Sequence, residues 1–389
     1  MTGPLAGVKV LDLAAYIAGP YGCTLLADLG AEVIKVESPD GDTLRKYPST
    51  LAGESRAFLG VNRGKQGIVL DLKQSEGLAA LKKLVAGTDV LVHNFRPAVP
   101  PRLGIAWDDL KAVNPRLIYC ALTGYGASGP MKDKAGYDQV LQSMTGICTF
   151  QGQGTGAPQI VYGSVVDYYA ASMLAYAVSA ALFERERTGH GRTIGVSLLR
   201  SGLAMQSARM IWAEGESRDV GRDMRSGGIT GIHPTREGSL YVSANTPHVW
   251  ADLCALSGLS DLAADPRYDT VRKRAQHADE IVPRRRAALA QRSALEWEAW
   301  FGERVPCSAV RAVEDMFDHP QVVAEGLIEN FAHPSVGRYR GIAHPVQFEA
   351  EPSRPSAAPT LGQHSETVLA AHGYSAAEIA RLRALGVIG

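Results

Sequence analysis

The 389-residue chain has no surplus of charge, since forty Lys and Arg balance forty Asp and Glu. Nothing global draws it to nucleic acid or to an anionic membrane, so an anionic ligand has to be held by a local cluster of cations. Cysteine is scarce as well. Cys23, Cys120, Cys148, Cys254 and Cys307 are odd in number, scattered and free of any C-x-x-C pair. This excludes a disulfide framework and a structural zinc site and marks them as small core residues; no bound metal is expected. The start, Met1-Thr2-Gly3-Pro4-Leu5-Ala6-Gly7, lacks the basic residues and apolar core of a signal peptide, and no apolar run reads as membrane-spanning. A cytoplasmic protein without a membrane or nucleic-acid partner is expected. The turn Ala14-Ala15-Tyr16-Ile17-Ala18-Gly19-Pro20 carries no G-x-G-x-x-G, and no Walker phosphate loop occurs, so neither NAD nor ATP is the natural ligand.

What the chain does have is a large apolar fraction, 46%, arranged in alternating short and long periods. Val8–Leu13, Ala31–Val36, Ile68–Leu72, Asp89–His93 and Leu117–Leu122 read as strands. Helical segments stand between them, one opened by Pro20 and closed at Gly30, another over Ser75–Ala86. Strands alternating with helices predict an α/β fold with a doubly wound, mostly parallel sheet, and ligands gathering beyond the carboxyl ends of its strands. A smaller α+β domain is expected to interrupt the chain. It covers 216–328, with 1–215 and 329–389 forming the large domain. Inside it Leu240–Ser243 and Val305–Val310 read as strands, His248–Leu256 as a helix, and Ser293 to Glu296 as a capping box. Ser201–Glu216 reads as a further helix of the large domain.

One acidic residue stands out. Asp167 separates the β-branched run Ile160-Val161 and Val165-Val166 from the apolar helical stretch Tyr169–Leu182, which Arg185, Arg187 and Gly189 terminate. The stretch is apolar at nearly every position, which predicts burial on several faces. A carboxylate in the first turn faces the positive helix end and unpaired N–H groups, which favour its ionised form. It is either a helix cap or a nucleophile. Polar and basic residues cluster at the strand ends: Arg45 after the second strand, Asn62, Arg63 and Lys65 before the third, and Asn94, Phe95, Arg96 and Arg102 after the fourth. Taken singly each reads as an ordinary surface residue; their shared place at strand ends suits a phosphorylated ligand equally well, with Phe95 placed to stack on a base.

Several motifs now coincide. L-A-D-L-G-A-E-V-I-K-V-E at Leu26–Glu37, V-N-R-G-K-Q-G-I-V-L-D-L-K at Val61–Lys73 and H-N-F-R-P at His93–Pro97 resemble the family III CoA-transferases (the CaiB/BaiF family). So do N-P-R-L-I-Y-C at Asn114–Cys120, T-G-Y-G-A-S-G-P at Thr123–Pro130, the surroundings of Asp167 and L-G-Q-H-S-E-T-V-L at Leu361–Leu369. The resemblance implies that Asp167 is the nucleophile and that coenzyme A is a co-substrate rather than a resident cofactor. It implies a CoA site drawing on Ile17, Arg45, Asn62, Lys65, Asn94, Phe95, Arg96 and Arg102, with Tyr137 and Asp138 lining the acyl pocket. A glycine loop over the site, Gly227 and Gly228, would donate to the oxyanion. The substrates would be an acyl-CoA, such as a small dicarboxylyl-CoA, and a free carboxylic acid, and the protein an interlocked homodimer. Ile17 stands where oxalate-using relatives carry glutamine, which points to another acid. The similar α-methylacyl-CoA racemases pair a histidine with the aspartate; here Tyr137 takes that place, and a tyrosine is a poor base at pH 7. A racemase-like isomerase and a CoA-binding protein without catalysis remain as alternatives.

Overall fold

The computed structural model describes residues 3–152, 156–217, 228–348 and 355–389. They divide into two compact units, 1–210 with 321–389, and 211–320; the composition suggested boundaries at 215 and 328.

The larger unit is organised by six parallel strands: β1 (Lys9–Asp12), β2 (Glu32–Glu37), β3 (Lys65–Val69), β4 (Val90–His93), β5 (Ile118–Thr123) and β6 (Arg192–Ser197). Their spatial order is β3-β2-β1-β4-β5-β6, so the order reverses between β1 and β4. Alternate residues face opposite sides, and each side builds its own core. Val10, Val33, Val90, Val92, Ile118 and Cys120 pack with the helices Ala18–Asp28 and Val165–Thr188. Leu11, Ile68, Leu91, Leu117 and Tyr119 pack on the other side, with the helices Ser75–Val85, Ser365–Ala371 and Ala376–Ala384. The sequence pattern that marked the strands as near-continuous apolar runs is therefore the pattern of a sheet covered on both faces.

The Val165–Thr188 helix differs from its expected description in two ways. It is long and apolar enough, by length and composition, to cross a membrane, although no such run was expected. Among the described residues it is also covered on one face only. Val166, Ala170, Leu174 and Val178 are wholly buried against the sheet, whereas Tyr168, Tyr176 and Phe183 form an exposed stripe at spacings of eight and seven residues along the helix. The apolar composition arises because both faces are apolar, so composition alone could not say which is covered. Gly189 ends the helix in the left-handed conformation (φ 75°) that the terminator pattern suggested. After β6 the helical stretch is shorter than expected, Leu198–Ala204 rather than Ser201–Glu216. Gln206 there turns its amide back to the carbonyls of Gly202 and Thr145, both at 2.9 Å.

The smaller unit contains an antiparallel sheet of β7 (Gly231–Pro234), β8 (Ser239–Val242) and β9 (Cys307–Ala309). Its core is formed by Leu240, Val242, Trp250, Leu253, Trp297 and Phe301. The Ala294–Phe301 helix starts with the predicted capping box, Ser293 with Glu296. The chain then contributes an antiparallel pair, β10 (Ile328–His333) and β11 (Gly337–Ile342), to the larger unit.

Candidate active site

The site lies where the strand order reverses, the place at which an open parallel sheet leaves a crevice beyond its carboxyl ends. The chain leaving β1 is tied to the chain leaving β4 by one side chain. The Asn94 amide donates to the Ala15 carbonyl at 2.7 Å, and its oxygen accepts the Ala15 N–H at 3.0 Å. On the other flank the fully buried Lys35 of β2 donates to the Ala14 carbonyl at 2.9 Å and to Asp42 at 3.0 Å. Asp42 in turn accepts the Tyr16 N–H at 3.2 Å. Three consecutive residues, 14 to 16, are thus held by side chains from other segments. Tyr16 sits at φ 66°, a left-handed conformation that costs a non-glycine residue about 1–2 kcal/mol, and these bonds offset that cost.

Two cavities flank this junction. The larger, of about 810 Å³, lies over the ends of β1 to β3 and is lined by Lys73, Gln74, Ser75, Leu78, Phe95 and Arg102 among others. The smaller, of about 660 Å³, is lined by Tyr16, Ile17, Tyr47, Arg96, Tyr137 and Asp167 among others. Ala15 and Phe95 belong to the walls of both. Phe95 is held there by stacking on His93, with ring centroids 5.5 Å apart. Beside the smaller cavity the end of β5 and the segment before the Asp138–Met144 helix approach so closely that a Cβ on either Gly124 or Gly136 would meet the other's Cα at 2.8 Å.

Asp167 reaches this cavity from the first turn of the long helix. It does not cap that helix. The cap is Asp138, whose Oδ2 accepts the N–H groups of Val166 at 2.7 Å and Asp167 at 3.0 Å. Gln142 secures Asp138 by donating to its Oδ1 at 2.5 Å, and also brackets Val161, accepting from its N–H and donating to its carbonyl at 2.8 Å each. The Tyr168 N–H is taken by the Ser164 carbonyl. The N–H groups expected to keep Asp167 ionised are therefore occupied, and their partner is a second carboxylate. Burial, followed by repulsion from Asp138, pushes the Asp167 carboxyl up to about 7. A carboxyl in that state is a far more basic oxygen nucleophile than an ordinary aspartate, and a substantial fraction is still ionised at neutral pH.

The other expected site residues divide into two groups. Ile17, Asn94, Phe95, Arg96, Tyr137 and Asp138 line the smaller cavity and Arg102 the larger. Arg45, Asn62 and Lys65 line neither cavity, because internal partners occupy them. Arg45 clasps Glu37 with two nitrogens at 2.7 and 2.8 Å and also pairs with Glu54. Lys65 is fully buried, 2.8 Å from Asp12, 2.7 Å from the Pro20 carbonyl and 2.9 Å from the Asn62 oxygen. The physical reason is Asp12: a carboxylate buried in the middle of a parallel sheet requires a counter-ion, and Lys65 with its partner Asn62 supplies it. Arg63 is likewise committed, to Asp28 at 2.5 Å. Gly228 belongs to the smaller unit, in the left-handed region at φ 85°, and Gly227 lies outside the described residues. Sequence reasoning missed Tyr16, Tyr47, Lys132 and Lys134, which also line the smaller cavity, and Lys73 and Ser75 in the larger. The position of Tyr16 directly beyond β1 was the one available signal.

No group of three or more His, Cys, Asp or Glu among the described residues is arranged to hold a metal ion. The reactive equipment is a basic carboxylate at the end of a cavity that adjoins a larger one. A match to the model of CoA-transferase family III extends over residues 5–365. The chain belongs to CoA-transferase family III. Its relatives include a protein of Mus musculus named succinyl-CoA:glutarate CoA-transferase, 34% identical over 99% of this chain and 90% of that protein. A second, from Agrobacterium fabrum, is named succinate–glutarate CoA-transferase and is 33% identical over 94% of this chain and 95% of the relative. Among solved structures, a CaiB/BaiF family protein from Brucella suis superimposes with a TM-score of 0.84, at 29% identity and covering 96% of this chain and all of that one. This family III transferase therefore has the six-stranded parallel fold of its CaiB/BaiF neighbours.

Proposed function

We propose that this transferase moves CoA between a small dicarboxylyl-CoA, succinyl-CoA being the first choice, and a free carboxylic acid, with Asp167 as the covalent nucleophile. The observation carrying the assignment of Asp167 is its place, a carboxyl raised to about 7 inside a 660 Å³ cavity that shares Ala15 and Phe95 with an 810 Å³ neighbour. The names of the relatives support the choice of acids. In this reading the larger cavity takes the nucleotide end of CoA, with Lys73 and Arg102 facing its phosphates. The thioester then passes Phe95 to reach Asp167. The ionised Asp167 oxygen attacks the thioester carbon, the C–S bond breaks, and CoA leaves as a thiolate from an acyl-aspartyl anhydride. The thiolate attacks the aspartyl carbonyl, releasing the donor acid and leaving an aspartyl-CoA thioester. The acceptor carboxylate attacks this thioester, expelling the thiolate again, which attacks the acceptor's acyl carbon and frees Asp167.

A raised carboxyl suits the opening attack, since it is a better nucleophile toward the thioester than an ordinary carboxylate. The racemase-like alternative requires a histidine paired with Asp167, and the described residues lining this cavity include Tyr137 and no histidine. The exposed Tyr168, Tyr176 and Phe183 stripe supports a homodimer, and five cysteines that form no disulfide support a reducing, cytoplasmic setting. The test is an exchange assay with succinyl-CoA and a panel of free acids, followed by chromatography of the CoA esters. A new acyl-CoA from the wild type and none from Asp167→Ala is the expected result. Unchanged succinyl-CoA across the whole panel of acids would refute the proposal.

A further inference from the structure

We propose that Tyr16 sets the size of the acid accepted beside Asp167, its ring forming a wall that admits a short unbranched carboxylic acid and turns away a longer or branched one. The inference rests on the transferase reading above and adds the selectivity of the same cavity. Tyr16 lines that cavity together with Tyr47, Tyr137 and Asp167. Its ring stands edge-on to Tyr137, centroids 5.7 Å apart at 67°, and to Tyr47, 6.5 Å apart at 89°. Both separations fall in the range of favourable edge-to-face pairs, so the Tyr16 ring is held from two sides.

Size selection needs a wall that does not yield, and the backbone beneath this ring is fixed from three sides. Asn94 holds residue 15 by two hydrogen bonds, Lys35 holds the carbonyl of residue 14, and Asp42 holds the N–H of residue 16. Tyr16 keeps its ring in place at φ 66°, a conformation glycine adopts without cost. An unfavourable backbone conformation at a cavity wall, supported by several side chains and carrying a bulky ring, points to a use for the ring. The basic residues Lys132 and Lys134 line the same cavity, so an acid attracted by them enters the space that the Tyr16 ring and Asp167 share.

The experiment compares wild type, Tyr16→Gly, Tyr16→Ala and Tyr16→Phe with succinyl-CoA as donor. The acceptors run from glutarate through adipate to suberate, with methyl-branched glutarates alongside. A wild type preferring unbranched glutarate is expected. Removing the ring should raise kcat/KM for adipate, suberate and the branched acids relative to glutarate by about tenfold, the scale on which a pocket discriminates one methylene. Tyr16→Phe should keep the wild-type preference, since the ring and not the hydroxyl excludes. The glycine variant guards against misfolding, because it suits φ 66°; it should melt at or above the alanine variant. An unchanged acid ratio in both truncated variants, or an equal loss for every acid, would overturn the proposal. A wild type that exchanges CoA with no acid would instead overturn the transferase reading, and this proposal with it.

Discussion

Replacing Asp167 with asparagine should stabilise the protein, and the gain should depend on pH. A carboxyl that titrates near 7 in the fold and near the ordinary aspartate value of about 3.9 when unfolded binds its proton more tightly folded than unfolded. Its contribution is therefore most favourable below pH ~4 and is lost as the pH rises toward 7. At about 1.4 kcal/mol for each pH unit, ionised Asp167 would cost the free enzyme about 4 kcal/mol above pH 7, and partial solvent access reduces this to about 2–4 kcal/mol. Asparagine has nearly the same shape and no charge to desolvate, so Asp167→Asn should melt roughly 4–8 °C above wild type at pH 8. At pH 4.5 only about 1 kcal/mol of the gain should remain. Calorimetry across that range is the assay. An asparagine variant no more stable than wild type at pH 8, or equally stabilised at both pH values, would refute the assignment of a desolvated, repelled carboxyl. Such a cost is characteristic of reactive sites, where stability is exchanged for reactivity.

Other perturbations test the surrounding arrangement. kcat/KM should rise with pH through an inflection near 7, and Asp138→Asn, which removes the repelling charge, should move that inflection to lower pH while weakening the helix cap by about 1 kcal/mol. A pH–rate profile that does not move would contradict it. Lys65→Met should leave Asp12 buried and unpaired, destabilising the fold by about 3–5 kcal/mol in denaturant titration. Arg102→Ala should instead leave the melting temperature unchanged and raise KM for the CoA donor about tenfold, as loss of one phosphate-facing cation would. If Lys65 raised KM without loss of stability, the structural role given to it would be wrong.

Much of the scaffold was legible in the sequence because parallel sheets write themselves as short apolar runs between helical segments. Val90-Leu91-Val92 serves both faces of the sheet at once, and a run of that kind fits no solvent-exposed strand. The capping box at Ser293 was legible because it is local, spanning four residues. What the sequence hid is long-range. Asp138 lies 28 residues before the N–H group it caps, so nothing at Asp167 signalled that its helix end was already satisfied. Arg45 and Lys65 looked like ligand cations for the same reason: their partners Glu37, Glu54 and Asp12 come from other segments, and only folding reveals them as counter-ions. The left-handed turn at Tyr16 left no mark, since it is imposed by Asn94, Lys35 and Asp42 rather than by a glycine.

The measurement closest to the centre of the account is intact-protein mass spectrometry after mixing with succinyl-CoA, with Asp167→Ala alongside. The wild type should gain the mass of CoA less water, the adduct should map to Asp167 after trapping with hydroxylamine, and a free acid should discharge it, while the variant gains nothing. An unmodified wild type that exchanges the α-proton of a branched acyl-CoA would contradict covalent catalysis by Asp167 and place the chemistry with the racemases.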